Sequence, residues 1–317
     1  MNNIPIYGVI MAGGRGRRLW PLSTPARPKQ FIEINGESLL SRTFDRISPL
    51  ISPENVLVVT NKGKGEMVQE ELPELPGDNI IEEPMGKNTA PCIGLSAVYS
   101  HKILDLNDDN SVMVVLPADH LVKREKRFRE LLKQASEIAF EGKQFVTLGI
   151  EPTEPATGYG YIKAGERLES GEEARKAESF TEKPDRQTAE EFLTAGNYYW
   201  NSGTFIWRTD RLLQGLKKNM KELYRGLERI EGALGSERAD EITQEEYSKF
   251  SGTSIDYGLM ENVGPDERAV IPASVGWSDL GDWPSFEQLI KSDEDGNSCY
   301  GDVMCDSSKK NIIFNDG

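Results

Sequence analysis

The chain opens on a buried-strand pattern, a short apolar run at residues 6–12. Comparable runs recur at residues 56–60, 79–82, 112–116 and 145–150. Between them, residues 38–47, 89–104 and 128–140 carry apolar side chains at helical spacing. Such alternation predicts right-handed crossovers and a parallel sheet covered by helices on both faces. Ligands of such sheets sit beyond the carboxyl ends of the strands. The loop after the first strand therefore lies on the edge where chemistry is expected.

The second half is less regular. Short strands are predicted at residues 159–163, 179–182, 203–208 and 269–273, and charged helices at 210–232 and 241–250. Residues 71–77, 151–155 and 232–236 read as loops from their Pro, Gly and Ser content. A last helix falls near 284–291, and a polar linker follows at 293–297. Residues 300–315 read as a hairpin that starts a new unit. The predicted division is a domain over 1–292 and the beginning of a β-rich unit over 293–317.

Composition narrows the function. The 317 residues carry a net charge of −15, with 37% hydrophobic and 28% charged side chains. That balance argues against nonspecific nucleic-acid binding. The longest apolar runs are far too short to span a bilayer. The start, MNNIPIYG, lacks a basic stretch followed by an apolar one, so a cytoplasmic protein with no membrane partner is expected. Three scattered cysteines, Cys92, Cys299 and Cys305, are too few for a disulfide framework or a zinc site.

Positive charge is nevertheless concentrated at one place. Gly13, Gly14 and Gly16 follow the first strand, interleaved with Arg15, Arg17 and Arg18. The first thirty residues hold five basic side chains and no acidic one. Glycine lets a backbone approach a ligand closely, and consecutive N–H groups with arginine donors suit a phosphate chain. A Walker loop is excluded, because Arg17-Arg18 follows Gly16 where Lys-Ser or Lys-Thr is needed. The dinucleotide fingerprint fails too, with Leu19 at its third glycine position. Taken alone, the loop is equally a flexible basic turn.

Further strings read two ways each. Glu82-Glu83-Pro84-Met85-Gly86-Lys87-Asn88-Thr89-Ala90-Pro91 sits at a strand-to-helix junction, where Asn88 or Thr89 caps the helix. Asp119, in Pro117-Ala118-Asp119-His120, is a turn residue or a carboxylate placed to hold Mg²⁺ at a strand end. His120 beside it reads as structural. Thr157-Gly158-Tyr159-Gly160 is a glycine turn into a strand, and Glu182-Lys183-Pro184 a strand end. Trp200-Asn201-Ser202-Gly203 places Asn201 at a turn before a strand. Ser254-Ile255-Asp256-Tyr257 and Gly276-Trp277-Ser278-Asp279-Leu280-Gly281-Asp282 complete the set, with Asp282 as a cap before Pro284.

The order of these strings, with Trp20-Pro21-Leu22-Ser23 and Pro28-Lys29-Gln30-Phe31, resembles the sugar-1-phosphate nucleotidyltransferases. Within them it resembles most the bacterial mannose-1-phosphate guanylyltransferase group. The resemblance spans residues 6–283, with Lys87 where arginine is usual and Thr181 where valine is usual. It implies a Rossmann-like mixed, mainly parallel sheet with helices on both faces, the nucleotide-diphospho-sugar transferase fold, and a C-terminal β-rich domain continuing beyond Gly317. It implies GTP and mannose 1-phosphate as substrates, GDP-mannose and diphosphate as products, and Mg²⁺ as cofactor. A homodimer is one assembly it allows.

The resemblance also implies roles. Ala12, Gly13, Gly14, Arg15, Gly16, Arg18 and Lys29, with Gly86, Lys87, Asn88, Thr89 and Ala90, would bind the nucleotide. Gly158, Tyr159, Glu182, Lys183, Asn201 and Asp256 would bind the sugar phosphate. Asp119 and Asp279 would hold the metal, and Arg18, Lys29, Asp119 and Lys183 would carry catalysis. A nucleotidyltransferase for another base or sugar, and a noncatalytic nucleotide-binding module, are the alternatives. A dehydrogenase is set aside by the failed glycine fingerprint.

Overall fold

The computed structural model describes residues 4–14, 16–34, 36–106, 110–169, 171, 173–287, 289–290 and 292–315. In chain order, β1 (Ile6–Ala12) leads through β2 (Glu33–Ile34) and β3 (Glu37–Ser38) into α1 (Leu39–Ile47). Then come β4 (Val56–Asn61), α2 (Gly65–Glu71), β5 (Ile80–Glu83), α3 (Thr89–Leu104), β6 (Val112–Pro117), β7 (Leu121–Val122) and α4 (Glu125–Gly142). The middle holds β8 (Phe145–Ile150), β9 (Tyr161–Arg167), β10 (Arg175–Thr181), α5 (Arg186–Ala195) and β11 (Tyr198–Arg208). Helices α6 (Thr209–Asn219), α7 (Lys221–Ala233) and α8 (Ala239–Lys249) precede β12 (Arg268–Pro272), β13 (Trp277–Ser278) and α9 (Trp283–Glu287). Strands β14 (Ser298–Tyr300) and β15 (Ile312–Phe314) close the described chain.

The main sheet runs β5-β4-β1-β6-β11-β8-β12-β10-β9. Strands β5, β4, β1 and β6 are parallel neighbours, as are β8 and β12. Among the described residues, only β10 and β11 run against the rest of this sheet. The alternation along β1 divides the core: Ile10 and Ala12 face α1 and α4, while Tyr7 and Val9 face α3 and the later helices. The mainly parallel sheet between two helical layers matches the sequence expectation. Helix starts follow side-chain chemistry: the Ser38 hydroxyl accepts from Ser41 N–H, the Asn88 Oδ1 from Thr89 N–H and Asp185 from Thr188 N–H.

Three expectations change, and one pairing is new. The helix expected over 210–232 is broken at Met220, whose backbone leaves the helical region at φ −132° and ψ 57°. The break seats the Met220 side chain on Gly258, where a Cβ would lie 2.4 Å from its sulfur. Asn201 does not precede a strand but lies inside β11, at a register shift between Asn201 and Phe205. Residues 300–315 do not form a hairpin: β14 and β15 pair in parallel. The intervening segment crosses over, and Tyr300 stacks on Phe314 at 4.3 Å. Finally, β7 pairs with β13, a contact between remote segments that two-residue strands cannot announce.

Candidate active site

The strand–loop junctions converge at the carboxyl edge of the sheet. Ala12 is buried, and its carbonyl accepts from the Gln30 amide and from Thr60 Oγ1 at 3.1 Å. Asn61 Nδ2 donates to the Gly13 carbonyl at 2.8 Å. These bonds fix the loop's root. Gly16 adopts φ +61°, and a Cβ there would lie 2.4 Å from the Lys29 Cβ. The loop therefore folds down on Lys29 only with glycine at that position. Gly14 has open space where a side chain would be. Arg15 lies outside the described residues. Arg18 reaches the other rim, its Nη2 3.2 Å from the Cβ position of Gly281.

A cavity of about 300 Å³ opens between the glycine loop and the start of α3, lined by Gly13, Gly14, Gly86, Asn88, Thr89 and Asp119, among others. Asn88 holds φ +70°, which turns the chain sharply into the helix. Lys87 does not face this cavity by its charge, because its Nζ donates to the Ser248 carbonyl at 2.9 Å. Ala90 is buried, its N–H bonded to the Thr253 carbonyl at 3.2 Å. Lys87 thus anchors the loop to the end of α8 through its side chain, and Ala90 anchors the start of α3 through its backbone.

Two cavity residues escaped the sequence reading. Gln30 fixes the glycine loop, as above. Glu83, at the end of β5, is 4% exposed. The Tyr247 hydroxyl hydrogen-bonds its Oε1, and its Oε2 lies 3.2 Å from the Cβ position of Gly13. Burial pushes its carboxyl up to about 7, against the Tyr247 hydrogen bond, which favours ionisation. The only signal in sequence was its place at a strand end.

A second cavity, about 180 Å³, adjoins the first through Met11, Thr89 and Pro117. It gathers Gly158, Tyr159, Glu182, Asn201, Asp256 and Asp279. Asn201 Nδ2 donates to Asp256 Oδ1 at 2.8 Å, and its Oδ1 accepts from Thr147 Oγ1 at 3.2 Å and Gly203 N–H at 3.1 Å. Gly203, at φ +70°, makes that last bond. Burial, and then Glu182 nearby, push the Asp256 carboxyl up to about 6. Lys183, at φ +45°, pairs with Glu182, and its side chain remains exposed over about half its surface. Tyr159 packs on Trp200 at 5.0 Å and on Trp277 at 5.4 Å, giving the cavity an aromatic wall. Burial lowers the His120 pKa to about 4, so its neutral Nδ1 accepts from Trp277 Nε1 at 3.2 Å. That supports the structural reading of His120.

Between the cavities stands Lys29. Its Nζ pairs with Asp119 Oδ2 at 2.7 Å and donates to the Asp279 carbonyl at 2.7 Å. Burial favours the neutral carboxyl of Asp119, but the charge and hydrogen bond of Lys29, together with His120 and a backbone hydrogen bond, hold the pKa below the ordinary aspartate value. The Asp279 carboxylate accepts at Oδ1 from Tyr159 OH at 3.1 Å and Gly281 N–H at 3.0 Å. Asp282 caps α9 as expected, accepting from Ser285 N–H at 3.0 Å. Lys29 thus ties the Asp119 carboxylate to the Asp279 main chain, 160 residues apart in sequence. Among the described residues there is no group of three His, Cys, Asp or Glu side chains that could hold a metal ion. A pair of carboxylates is nonetheless the protein share that Mg²⁺ takes when phosphates and water fill its other positions.

The sequence pattern of the family described as nucleotidyl transferase matches residues 7–296. The chain belongs to the nucleotidyl transferase family. Among similar proteins, this nucleotidyl transferase is 40% identical over 315 residues to a mannose-1-phosphate guanylyltransferase of Salmonella muenchen, covering 97% of this chain and 64% of that protein. A mannose-1-phosphate guanylyltransferase of Escherichia coli is 37% identical, with 98% of this chain and 65% of that protein covered. The chain thus spans a little under two thirds of the length of these relatives. A crystal structure from Thermus thermophilus, named mannose-1-phosphate geranyltransferase, superposes with a TM-score of 0.80 at 34% identity. The match covers 93% of this chain and 82% of that one. Among the described residues, no helix of the nucleotidyl transferase is long and apolar enough to cross a membrane.

Proposed function

We propose that this nucleotidyl transferase joins GTP to α-D-mannose 1-phosphate, giving GDP-mannose and diphosphate. The observation that carries the reading is the pair of adjoining cavities, with Lys29, Asp119 and Asp279 at their junction. One cavity is floored by a glycine loop suited to a nucleoside triphosphate, the other lined by hydroxyl-binding side chains. Glu83 supports guanine: once ionised on binding, its carboxylate accepts from the adjacent N–H donors on one edge of that base. The names of the relatives support mannose 1-phosphate.

A sugar phosphate has a second pKa of about 6 and is mostly dianionic at pH 7. Its oxygen attacks the α-phosphorus without a protein base, so the protein's work is alignment and charge stabilisation. In this reading Lys29 and Arg18 hold the triphosphate and the departing diphosphate. Lys183, already beside the sugar cavity, neutralises the sugar phosphate. Glu182, Asn201 and Asp256 accept from or donate to the sugar hydroxyls, with Gly158 and Tyr159 forming the wall. Asp119 and Asp279 would hold Mg²⁺, which when bound supplies positive charge against the phosphates.

The test is diphosphate release in the presence of Mg²⁺, with GTP, ATP, UTP and dTTP crossed against mannose-, glucose- and galactose-1-phosphate. Selective release with GTP and mannose 1-phosphate is expected. Preference for another pair would overturn the substrates and leave the transfer chemistry. Absence of release from folded protein with every pair would overturn the activity.

A further inference from the structure

Cys299 and Cys305 lie outside both cavities. Their Sγ atoms approach to 3.2 Å, and both are free thiols, half-buried rather than sealed in the core. A disulfide bond is about 2.0 Å long, so closure requires roughly 1 Å of side-chain approach. The third cysteine, Cys92, is buried on α3.

We propose that Cys299 and Cys305 are an oxidisable dithiol, closed by a small-molecule disulfide of the glutathione type, whose closure braces the loop carrying Asp279. The Cys305 thiolate attacks the oxidant's S–S bond, forming a mixed disulfide and releasing one thiolate. Cys299 then gives up its proton and attacks Cys305 Sγ, releasing the second thiolate. The protein loses two electrons and two protons, and the oxidant is reduced to two thiols. The Cys299 thiol is pushed up to about 11, chiefly by its hydrogen bond to Cys305; the sum of the two steps is the same whichever sulfur attacks first.

The brace follows from the neighbours of Cys299. Ser298 Oγ donates to Glu287 Oε1 on α9 at 2.7 Å. On the other side, Tyr300 stacks on Phe314, which meets Phe286 of α9 at 6.2 Å. Phe286 packs in a small core with Leu19 of the glycine-loop segment and Leu280, the residue after Asp279. Tying Cys299 to Cys305 therefore limits the freedom of the strand on which α9 and Leu280 rest.

The experiment uses the full chain and glutathione. The protein is equilibrated over a series of oxidised-to-reduced glutathione ratios, remaining thiols are alkylated, and peptides are weighed. The expected result is one two-electron transition to a Cys299–Cys305 cross-linked peptide, lighter by two hydrogens, with Cys92 unoxidised. Cys305→Ser and Cys299→Ser should each abolish the cross-link. A stable glutathione adduct on Cys305 of the wild-type chain, or independent alkylation of both cysteines at full oxidation, would overturn the site. The thermal unfolding midpoint of oxidised protein should exceed that of reduced protein, with no difference in Cys305→Ser. An equal or lower midpoint in the cross-linked chain would overturn the brace. None of these readouts depends on which substrates the enzyme takes.

Discussion

Glu83→Gln is the most informative single change, because it removes one proton equilibrium and little else. In the folded chain the Glu83 carboxyl is raised from 4.5 to about 7, mainly by burial, and the side chain is 4% exposed. Its folded value lies above its unfolded one. The unfolded chain therefore releases this proton first, and folding loses stability as pH rises from about 4.5 to about 7. At 1.36 kcal/mol per pH unit, the full loss is about 3 kcal/mol, of which about 2.5 kcal/mol falls between pH 5 and pH 8. Glutamine fits the same space and accepts the Tyr247 hydrogen bond at its Oε1, but cannot ionise. Urea denaturation of both proteins at about pH 5, 6, 7 and 8 gives the comparison. The variant should gain stability relative to wild type by about 2.5 kcal/mol across that range. Parallel profiles, diverging by less than about 0.5 kcal/mol, would refute the claim that a buried carboxyl, protonated in the folded chain below about pH 7, faces the cavity beside the glycine loop. Tyr247→Phe removes the bond that favours ionisation, so it should push the wild-type transition to higher pH.

Three further outcomes follow from the junction between the cavities. Lys29→Met should destabilise the fold by about 3 kcal/mol in urea denaturation, because it strands the Asp119 carboxylate. A double cycle with Asp119→Asn should return most of that cost as coupling, and a coupling near zero would show that the 2.7 Å pair contributes nothing. Asp119→Ala, with folding checked by circular dichroism, should lower kcat for diphosphate release by about 10²–10³; near-normal turnover would remove Asp119 from the reaction. Gly16→Ala should cost about 1–3 kcal/mol of stability, since its Cβ would fall 2.4 Å from Lys29 at φ +61°. A neutral effect there would mean that the loop has room the packing does not show.

Much of this architecture was written locally. The apolar runs of β1, β4, β6 and β8 and the capped starts of α1 and α3 are short-range patterns, and a sheet with covered faces follows from their alternation. The strand-end positions of Gly13, Gly14 and Asp119 follow from the same pattern, because the sheet's carboxyl edge is where such loops must collect. What tertiary structure alone decided is pairing across long separations. Lys29 meets Asp119 and Asp279 only after β1, β6 and the β7–β13 pair are in place. Glu83 looks like any strand-end acid until Tyr247, 164 residues later, covers it. Met220 interrupts a helix whose propensity is continuous, because Gly258 offers a seat for its side chain. Parallel pairing of β14 and β15 overrode a hairpin pattern, with Tyr300 stacked on Phe314 beside Phe286 of α9. Sequence fixes backbone preferences over a few residues, whereas burial, charge pairing and the direction of a strand are set by neighbours that the chain brings from far away.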